Sequence, residues 1–447
     1  MHRCHVRLGL GLAVLLTAAG AGHAAQEARS FRIEESLDQT WGGLFAHDLD
    51  GDGELDFVFT GPGFIAAYDK DGNRLWHRDA AIVLFPYTHH PSAIAGDMDG
   101  DGQQEVGYLD EDDEVKIVDG ATGEPDWSFD PPGQPRALVL MNARGEGDRD
   151  ILLQMDQTHL MVVDAQSGRP VWGTQEYRGI EHSPAKVADL DGDGRDEVAG
   201  AVIIDDDSGV LSPWDPGDRY RSMDSLAIAD VIPGLPLEVV MAEQLGADSH
   251  TVVLSPDELV WSALNPWDWE DPDKVVVGDF DPGRPGLEIF NRSSGGDGTA
   301  KRGNEEPYSN ELAPWVLDSS GELISKYHLL DKAPEGWTGH GIEEIFPIDW
   351  DGSGRQLIAG TERHTLGRSA IIEPITGEFV EVFDTAATRL YVVDLEGDAR
   401  EEVVAVDEDG TVHVFGNPDP SAAPGAPSPW TLEHYRRGKQ NWNYYSP

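Results

Sequence analysis

Short acidic loops are the most chemically specific feature of this sequence. The pattern Asp-x-Asp-Gly-Asp-Gly occurs at 48–53, 97–102 and 189–194, each time with an acid at the ninth position. Carboxylates at alternate positions of a tight turn form an oxygen cage that suits a hard cation such as Ca²⁺. We predict calcium in three loops, formed by Asp48, Asp50, Asp52 and Asp56, by Asp97, Asp99, Asp101 and Glu105, and by Asp189, Asp191, Asp193 and Glu197.

A fourth, more degenerate loop has the same frame. It contains Asp394, Glu396, Asp398 and Glu402. EF-hand loops require Glu at their twelfth position, where the first three loops instead have Phe59, Tyr108 and Gly200. The predicted role of the metal is therefore structural, holding the turns of a repeated β fold.

A second group of residues has types that suit an anionic ligand. Arginine and histidine can neutralise a carboxylate, and histidine or tyrosine can take a proton. The catalytic candidates are His182, Tyr220, Arg221, Arg292, His89 and His90, and the substrate-binding candidates are Asp224, Glu243, Asn291, Arg363, His364 and His340. Individually, such residues also occur as surface loop histidines or salt bridges between blades, and histidines can form a metal site.

The elements that would position these residues come from an internal repeat. Eight copies of an apolar strand, an acidic loop and a β-branched strand start near residues 48, 97, 142, 189, 230, 279, 349 and 394. Most copies are followed by a hairpin such as 64–76 or 115–127, often with Trp. Four strands every 40 to 50 residues predict an all-β fold, a β-propeller of about eight four-stranded blades with calcium-binding Asp loops.

This architecture separates the two groups of residues. The acidic loops join each inner strand to the second strand, so they share one face of the disc. Residues just before an inner strand or just after a second strand must lie on the opposite face, near the axis. The catalytic and substrate-binding candidates occupy such positions, which predicts one pocket for an anionic ligand on that face.

Composition sets limits on partners. The formal net charge is -51, so a nucleic-acid partner is excluded, because phosphate binding requires clustered Lys and Arg. After residue 25 no apolar stretch approaches the length of a membrane span. The only cysteine, Cys4, falls in the predicted leader, so the mature fold is expected to have no disulfide. We expect a monomer, and because a negative shell repels polyanions, an acidic polysaccharide would need a locally basic cleft.

The chain divides into four segments. Residues 1–25 have the charged, apolar and small-residue regions of a signal peptide, with cleavage near Ala24, so the protein is expected to be secreted or periplasmic. Residues 26–416 are the predicted propeller, closed by pairing of 31–35 beside 412–415, and 417–429 form a Pro/Ser/Ala linker. The aromatic and basic tail 430–447 is expected to pack on the propeller, with a substrate-facing lip as the alternative.

Two segments resemble a known group of enzymes. Residues 188–210 (ADLDGDGRDEVAGAVIIDDDSGV) and 277–290 (VGDFDPGRPGLEIF) are similar to blades of the family 11 rhamnogalacturonan lyases. The resemblance covers most of the mature chain and implies an eight-bladed calcium propeller that cleaves polysaccharide. Those lyases have Gly-His-Gly-Asp before one blade loop and His-Glu after it; only Asp224 and Glu243 match these motifs here. The propeller ulvan lyases of families 24 and 25 are similar in architecture and use His, Tyr and Arg.

The resulting hypothesis is a secreted polysaccharide lyase that cleaves a uronate-containing, rhamnogalacturonan- or ulvan-like polysaccharide by β-elimination. Arg221 and Arg292 would hold the carboxylate, and His182 or Tyr220 would act as base or acid, with His89 and His90 as the next candidates. One alternative is a non-catalytic, calcium-dependent carbohydrate- or protein-binding propeller with integrin-like repeats. A glycoside hydrolase is another, and it would need two suitably spaced carboxyl groups in the cleft.

Overall fold

The computed structural model describes residues 26–38, 40–85, 88–180, 182–212, 214–243, 248–267, 272–293, 313–338, 341–362 and 366–446. The predicted signal peptide lies outside this range. Within it, 29 strands form antiparallel sheets, and α1 spans Glu433–Gln440. Short 3-10 turns occur at Arg219–Ser222, Leu329–Asp331 and Pro429–Thr431.

The strands group into eight blades, each of which starts with an inner strand. The first strand, β1 (Gln26–Arg32), precedes blade 1 in the chain and belongs to blade 8. Blades 1 to 4 contain β2 (Leu44–His47), β3 (Asp56–Gly61), β4 (Phe64–Tyr68) and β5 (Arg74–Asp79); β6 (Ala93–Gly96), β7 (Glu105–Leu109), β8 (Val115–Asp119) and β9 (Pro125–Phe129); β10 (Ala137–Met141), β11 (Asp150–Gln154), β12 (Leu160–Asp164) and β13 (Pro170–Thr174); and β14 (Lys186–Ala188) and β15 (Glu197–Ala199), respectively. Blades 5 to 8 contain β16 (Met223–Ala229), β17 (Glu238–Glu243), β18 (His250–Leu254) and β19 (Leu259–Leu264); β20 (Pro272–Gly278), β21 (Glu288–Ser293), β22 (Trp315–Leu317) and β23 (Leu323–Lys326); β24 (Ile342–Ile348), β25 (Leu357–Glu362), β26 (Gly367–Ile372) and β27 (Phe379–Val393); and β28 (Glu402–Asp407) and β29 (Thr411–Gly416), respectively.

Blades 7 and 8 share one strand, and blade 8 closes the ring. The first half of β27 pairs with β26, and its second half pairs with β28. β1 then pairs with β29, with Phe31 opposite Val412. The predicted propeller fold is therefore confirmed. The N-terminal strand also closes the ring as predicted, although the paired residues are 26–32 with 411–416 and not 31–35 with 412–415.

Blade 4 departs from the four-stranded pattern. Only β14 and β15 are regular, and the rest of the blade is reduced to single bridges from Val198 to Ile204 and from Ile204 to Val210. A tight turn interrupts the sheet between these bridges, because Asp205 N–H donates to the Gly209 carbonyl at 2.8 Å. Short strands leave this blade with fewer ladder hydrogen bonds than its neighbours.

The blades adhere through apolar layers and a recurring aromatic contact. Each hydrophobic cluster combines residues of adjacent blades, for example Val162 of blade 3 with Val187 of blade 4. Trp76 on the outer strand of blade 1 donates from Nε1 to the Gly120 carbonyl of blade 2 at 2.6 Å. Its ring also lies against Gly123, whose positive φ of 68° and missing Cβ make room for the indole. A Gly-containing turn of the repeat thus accommodates an aromatic side chain from the outer strand of the preceding blade.

The C-terminal segment runs through the middle of the ring. On the acidic-loop face, Tyr435 donates to Glu401 at 2.9 Å, and Arg437 pairs with Asp148 and Asp196. These partners belong to blades 3, 4 and 8, so α1 spans the width of the channel.

Further along the chain, the same segment reaches the other face. Gln440 bonds to His47, the last residue of inner strand β2, at 2.8 Å. Trp442 is fully buried and donates from Nε1 to the carbonyl of Leu44, the first residue of β2, at 2.6 Å. The segment therefore crosses the propeller along its axis and delivers residues 443–446 to the face opposite the acidic loops.

Candidate functional site

The face opposite the acidic loops has a pair formed by two predicted residues. His182 lies in the connector before β14, and Asp224 is the second residue of β16. His182 Nδ1 donates to the Asp224 carboxylate at 2.9 Å. The His182 side chain is 39% exposed, whereas the Asp224 side chain is buried. A buried carboxylate that orients an accessible imidazole is the arrangement expected of a general base.

Asp224 also faces a second buried carboxylate. Burial and the nearby Asp273 carboxylate together raise the pKa of Asp224 to about 6, although the hydrogen bond from His182 acts in the opposite direction. Asp273 is the second residue of β20, in the corresponding position of the next blade. The inner strands of blades 5 and 6 thus place two carboxyl groups beside one histidine.

Arg292 continues this network into the interior. Its guanidinium is fully buried and pairs with Asp273 and with Glu343, at 2.8 Å for the latter, while its Nε donates to the Ile342 carbonyl at 3.0 Å. Substrate cannot reach a guanidinium enclosed in this way. We therefore assign Arg292 a positioning role, in place of the predicted direct clamp on the substrate carboxylate.

A buried lysine that was not predicted completes the network. Lys274 Nζ donates to Glu343 at 2.6 Å. Burial lowers the pKa of Lys274 to about 8, although the Glu343 carboxylate acts in the opposite direction. Lys274 was not predicted as a site residue because it directly precedes a run of valines and so has the pattern of an ordinary strand residue.

Two tyrosines lie beside these groups. They belong to the C-terminal segment that crosses the propeller, residues 430–446, called the axial segment below. Tyr445 stacks on the His182 ring, with centroids 4.6 Å apart and planes at 19°. Tyr444 contacts His89 edge to face at 5.1 Å, and Lys274 Nζ lies 3.7 Å from the centre of the Tyr444 ring. The two tyrosine rings also touch each other, at 5.0 Å. His89 and His182 therefore lie on either side of one aromatic pair.

The two neighbouring histidines have different environments. His89 has a positive φ of 58° and pairs with the buried Glu344. His90 is buried and hydrogen-bonds to Asn441 at 2.8 Å. Burial lowers the pKa of His90 to about 4, so it is neutral at physiological pH. We therefore reassign His90 from a catalytic candidate to an anchor of the axial segment.

Two arginines in the connectors before blades 4 and 5 have no carboxylate partner among the described residues. Arg178 shares a connector with His182, and Arg221 precedes Asp224. Both guanidinium groups lie over the ring of Tyr220, at 5.8 Å and 4.9 Å from its centroid. Within the described part of the chain, neither forms an ion pair, whereas the protein has a net charge of -51. Tyr220 itself is only 4% exposed, so it fits a support for these cations better than the predicted base.

The remaining predicted substrate-binding residues are dispersed. Buried Glu243 pairs with Arg219 at 2.5 Å and with His250 at 3.2 Å. Asn291 is fully buried and accepts a hydrogen bond from Thr251 at 2.6 Å. His340, Arg363 and His364 lie outside the described residues, and their predicted roles stay predictions.

Three of the four predicted acidic loops have a geometry that fits a cation. Ligand oxygens converge within 4.8 Å of one another in Asp48, Asp50 and Asp56, in Asp97, Asp99 and Asp101, and in Asp189, Asp191 and Glu197. In the third loop, Glu197 Oε2 accepts from Leu190 N–H at 2.7 Å, whereas its buried Oε1 has no hydrogen-bond partner. A buried carboxylate oxygen left unpaired next to two other carboxylates is the geometry that a bound cation would satisfy.

The fourth predicted loop differs from the other three. Its four acids form no converging group in the described structure, and Asp398 instead pairs with Arg400. Asp394 accepts the backbone N–H groups of Asp398 and Ala399, each at 3.2 Å. Conversely, Asp205, Asp206 and Asp207 converge in blade 4, although they were not predicted from the sequence, because they lack the alternating spacing. Asp206 there already pairs with Arg195 at 2.5 Å.

Comparisons with known proteins support a lyase-like propeller. Residues 48–108 match the FG-GAP-like repeat family. The chain is 23% identical to the rhamnogalacturonan exolyase YesX of Bacillus subtilis (strain 168), over 81% of this chain and 69% of that protein. It is also 23% identical to the rhamnogalacturonan endolyase YesW of the same organism, over 60% of this chain and 54% of the relative.

Solved structures extend the likeness of fold. The crystal structure of rhamnogalacturonan lyase YesW matches with a TM-score of 0.62 at 19% identity, covering 95% of this chain and 80% of that one. The biofilm matrix protein Bap1 of V. cholerae matches with a TM-score of 0.58 at 13% identity, covering 95% and 98%. At these identities the structures show the fold alone. No helix among the described residues has the length and apolar character needed to cross a membrane.

Proposed function

We propose that this protein is an exported polysaccharide lyase that cleaves a uronate-containing, rhamnogalacturonan-like polysaccharide by β-elimination. The observation that carries the proposal is the accessible His182, held by buried Asp224, with Arg178 in the same connector as His182 and Arg221 three residues before Asp224. The similarity in sequence to rhamnogalacturonan lyases supports the reaction class. The proposed site lies on the face opposite the acidic loops, beside residues 443–446 of the axial segment.

The proposed reaction needs only proton transfer and charge neutralisation. Arg221 and Arg178 bind the uronate carboxylate and stabilise the charge that develops there as the C5–H bond breaks. His182 takes the C5 proton through Nε2, while Asp224 holds Nδ1–H and stabilises the imidazolium. The C4–O bond then breaks, the C4=C5 double bond forms, and the imidazolium returns its proton to the leaving oxygen.

Calcium has a structural role in this proposal. Asp48, Asp50 and Asp56, Asp97, Asp99 and Asp101, and Asp189, Asp191 and Glu197 are the groups that would hold it. A bound Ca²⁺ would neutralise the converging carboxylates and satisfy buried oxygens such as Glu197 Oε1. These loops lie on the face opposite His182, so they hold the blades that position the site.

The first experiment is an ultraviolet assay for the unsaturated uronate. Purified, calcium-loaded protein is incubated with rhamnogalacturonan, ulvan and other uronate-containing glycans, with a neutral glycan as control. We expect absorbance of the C4=C5 product to rise with rhamnogalacturonan. Flat traces with every glycan, together with measurable glycan binding by the folded protein, would instead support the non-catalytic propeller. New reducing ends without the ultraviolet signal would indicate hydrolysis.

The pH dependence of elimination provides a second prediction. We expect kcat/KM to rise with pH through about 6 and then level off, because Asp224 must be ionised to hold His182 as the base. Replacing Asp273 by Asn removes a neighbouring negative charge, lowers the pKa of Asp224, and therefore shifts the acid limb to lower pH.

The matched control for this prediction is Glu243→Gln, a buried acid of the same face that pairs with Arg219. Its pH profile should keep the wild-type acid limb. A profile that is unchanged in Asp273→Asn, or that shifts equally in both variants, would contradict the assignment of that limb to Asp224.

A further inference from the structure

We infer that the axial segment is part of the functional site, and that Tyr445 is a positioning residue for His182. The inference rests on the proposed function for its catalytic meaning. In this inference, a segment that a linker separates from the blades fixes the orientation of the base. The ring of Tyr445 lies almost parallel to that of His182, at 4.6 Å. Such a stack, together with the Asp224 hydrogen bond, fixes both the plane of the imidazole and its rotation within that plane.

The segment also holds the backbone that carries His182. Asn443 Nδ2 donates to the His182 carbonyl at 2.8 Å and to Ser183 Oγ at 3.3 Å. The connector before β14 is therefore attached to the axial segment at two successive residues. A displacement of residues 443–446 would move both the backbone and the ring of His182.

The conformation of the segment is itself fixed locally. Asn443 Oδ1 accepts the backbone N–H groups of Tyr445 at 2.9 Å and of Ser446 at 2.6 Å, which closes a tight turn. Ser446 Oγ accepts from Leu226 N–H, on inner strand β16, at 3.0 Å. Asp224 belongs to the same strand. The turn therefore joins the strand that carries the carboxylate to the connector that carries the imidazole.

This arrangement can be lost without loss of the propeller. The main anchors of the segment precede the turn, namely buried Trp442 and the Arg437 ion pairs with blades 3 and 4. Tyr445 is only partly buried, and its ring contacts are with groups of the site. Truncating its side chain should therefore alter the geometry of His182 while the blades stay folded.

The test compares Tyr445→Ala with Tyr445→Phe, which keeps the stacked ring and lacks only the hydroxyl. Tyr435→Phe is the control, since it loosens α1 from Glu401 without touching His182. The readout that does not depend on activity is the rate of acylation of His182 by diethylpyrocarbonate, measured by peptide mass spectrometry relative to His159. The second readout is kcat and KM for elimination on rhamnogalacturonan, with thermal unfolding to verify the fold.

We expect Tyr445→Ala to raise the relative acylation rate of His182 by about threefold and to lower kcat by about tenfold, with KM nearly unchanged, because a base displaced by a fraction of an ångström loses its alignment. Tyr445→Phe and Tyr435→Phe should resemble the wild type. Unchanged His182 reactivity in folded Tyr445→Ala would overturn the inference. If the wild type shows no elimination, the proposed function fails, while the acylation rates still decide whether Tyr445 positions His182.

Discussion

Replacing His182 by Gln is expected to lower kcat for elimination by about a thousandfold, the range over which a positioned general base contributes. Glutamine preserves much of the size of histidine and can donate a hydrogen bond to Asp224, but it cannot accept the C5 proton. KM should change little, because Arg178 and Arg221, which bind the carboxylate in our proposal, are untouched. The measurement is steady-state kinetics of the unsaturated product on the most reactive glycan.

A matched histidine is available as the control. His413 in β29 also pairs with carboxylates, Asp407 at 3.2 Å and Glu27 at 3.3 Å. It lies in blade 8, away from residues 443–446 of the axial segment. His413→Gln should retain wild-type kcat. Equal losses in both variants would point to a general destabilisation, and full activity of folded His182→Gln would exclude His182 as the base.

Removal of calcium is expected to have the largest effect on stability. Three sites that are each loaded at about one hundred times their Kd stabilise the fold by roughly 8 kcal/mol together, which corresponds to about 10 °C in Tm for a domain of this size. Because the described fold contains no cysteine, no disulfide can replace this contribution. Differential scanning calorimetry with calcium and with a chelator measures the difference.

Two glutamates in equivalent positions distinguish a metal site from a structural loop. Glu197 and Glu402 each accept a backbone N–H across their loop, from Leu190 and Leu395, but only Glu197 belongs to a converging group of acids. Glu197→Gln should reduce the calcium-dependent part of Tm by about a third if the three sites contribute equally. Glu402→Gln should leave that part intact, whatever it does to the baseline. The same loss of calcium dependence in both variants would contradict the distinction between the loops.

The architecture could be predicted from the sequence because the repeat encodes it locally. Each inner strand and acidic loop is contiguous, so spacing alone predicts blades and faces. Blade 4 and the strand shared by blades 7 and 8 depend on register and bridge lengths, which the repeat does not specify. α1 was not predicted because its eight residues are mostly polar and half-buried, and they are held by ion pairs without an apolar stripe.

The candidate site could be predicted only in part. His182 and Asp224 were predicted to share a face because they precede or begin inner strands, and they lie within hydrogen-bonding distance. Burial was harder to predict, since Arg292, His90 and Tyr220 are covered by packing that involves other blades or the axial segment. The contribution of Tyr445 is a long-range contact across the linker, and no local pattern in the sequence indicates it.

The pairing of β1 with β29 also determines the order in which this protein can fold. β1 is made first, yet its partner strand emerges from the ribosome only after seven blades. Contacts so distant along a chain form slowly, because the entropy of loop closure is lost before they stabilise the ring. Until then the nascent chain exposes unpaired strand edges that can join to other chains. We therefore expect refolding yield to fall steeply with protein concentration, and fragments that end before residue 411 to aggregate.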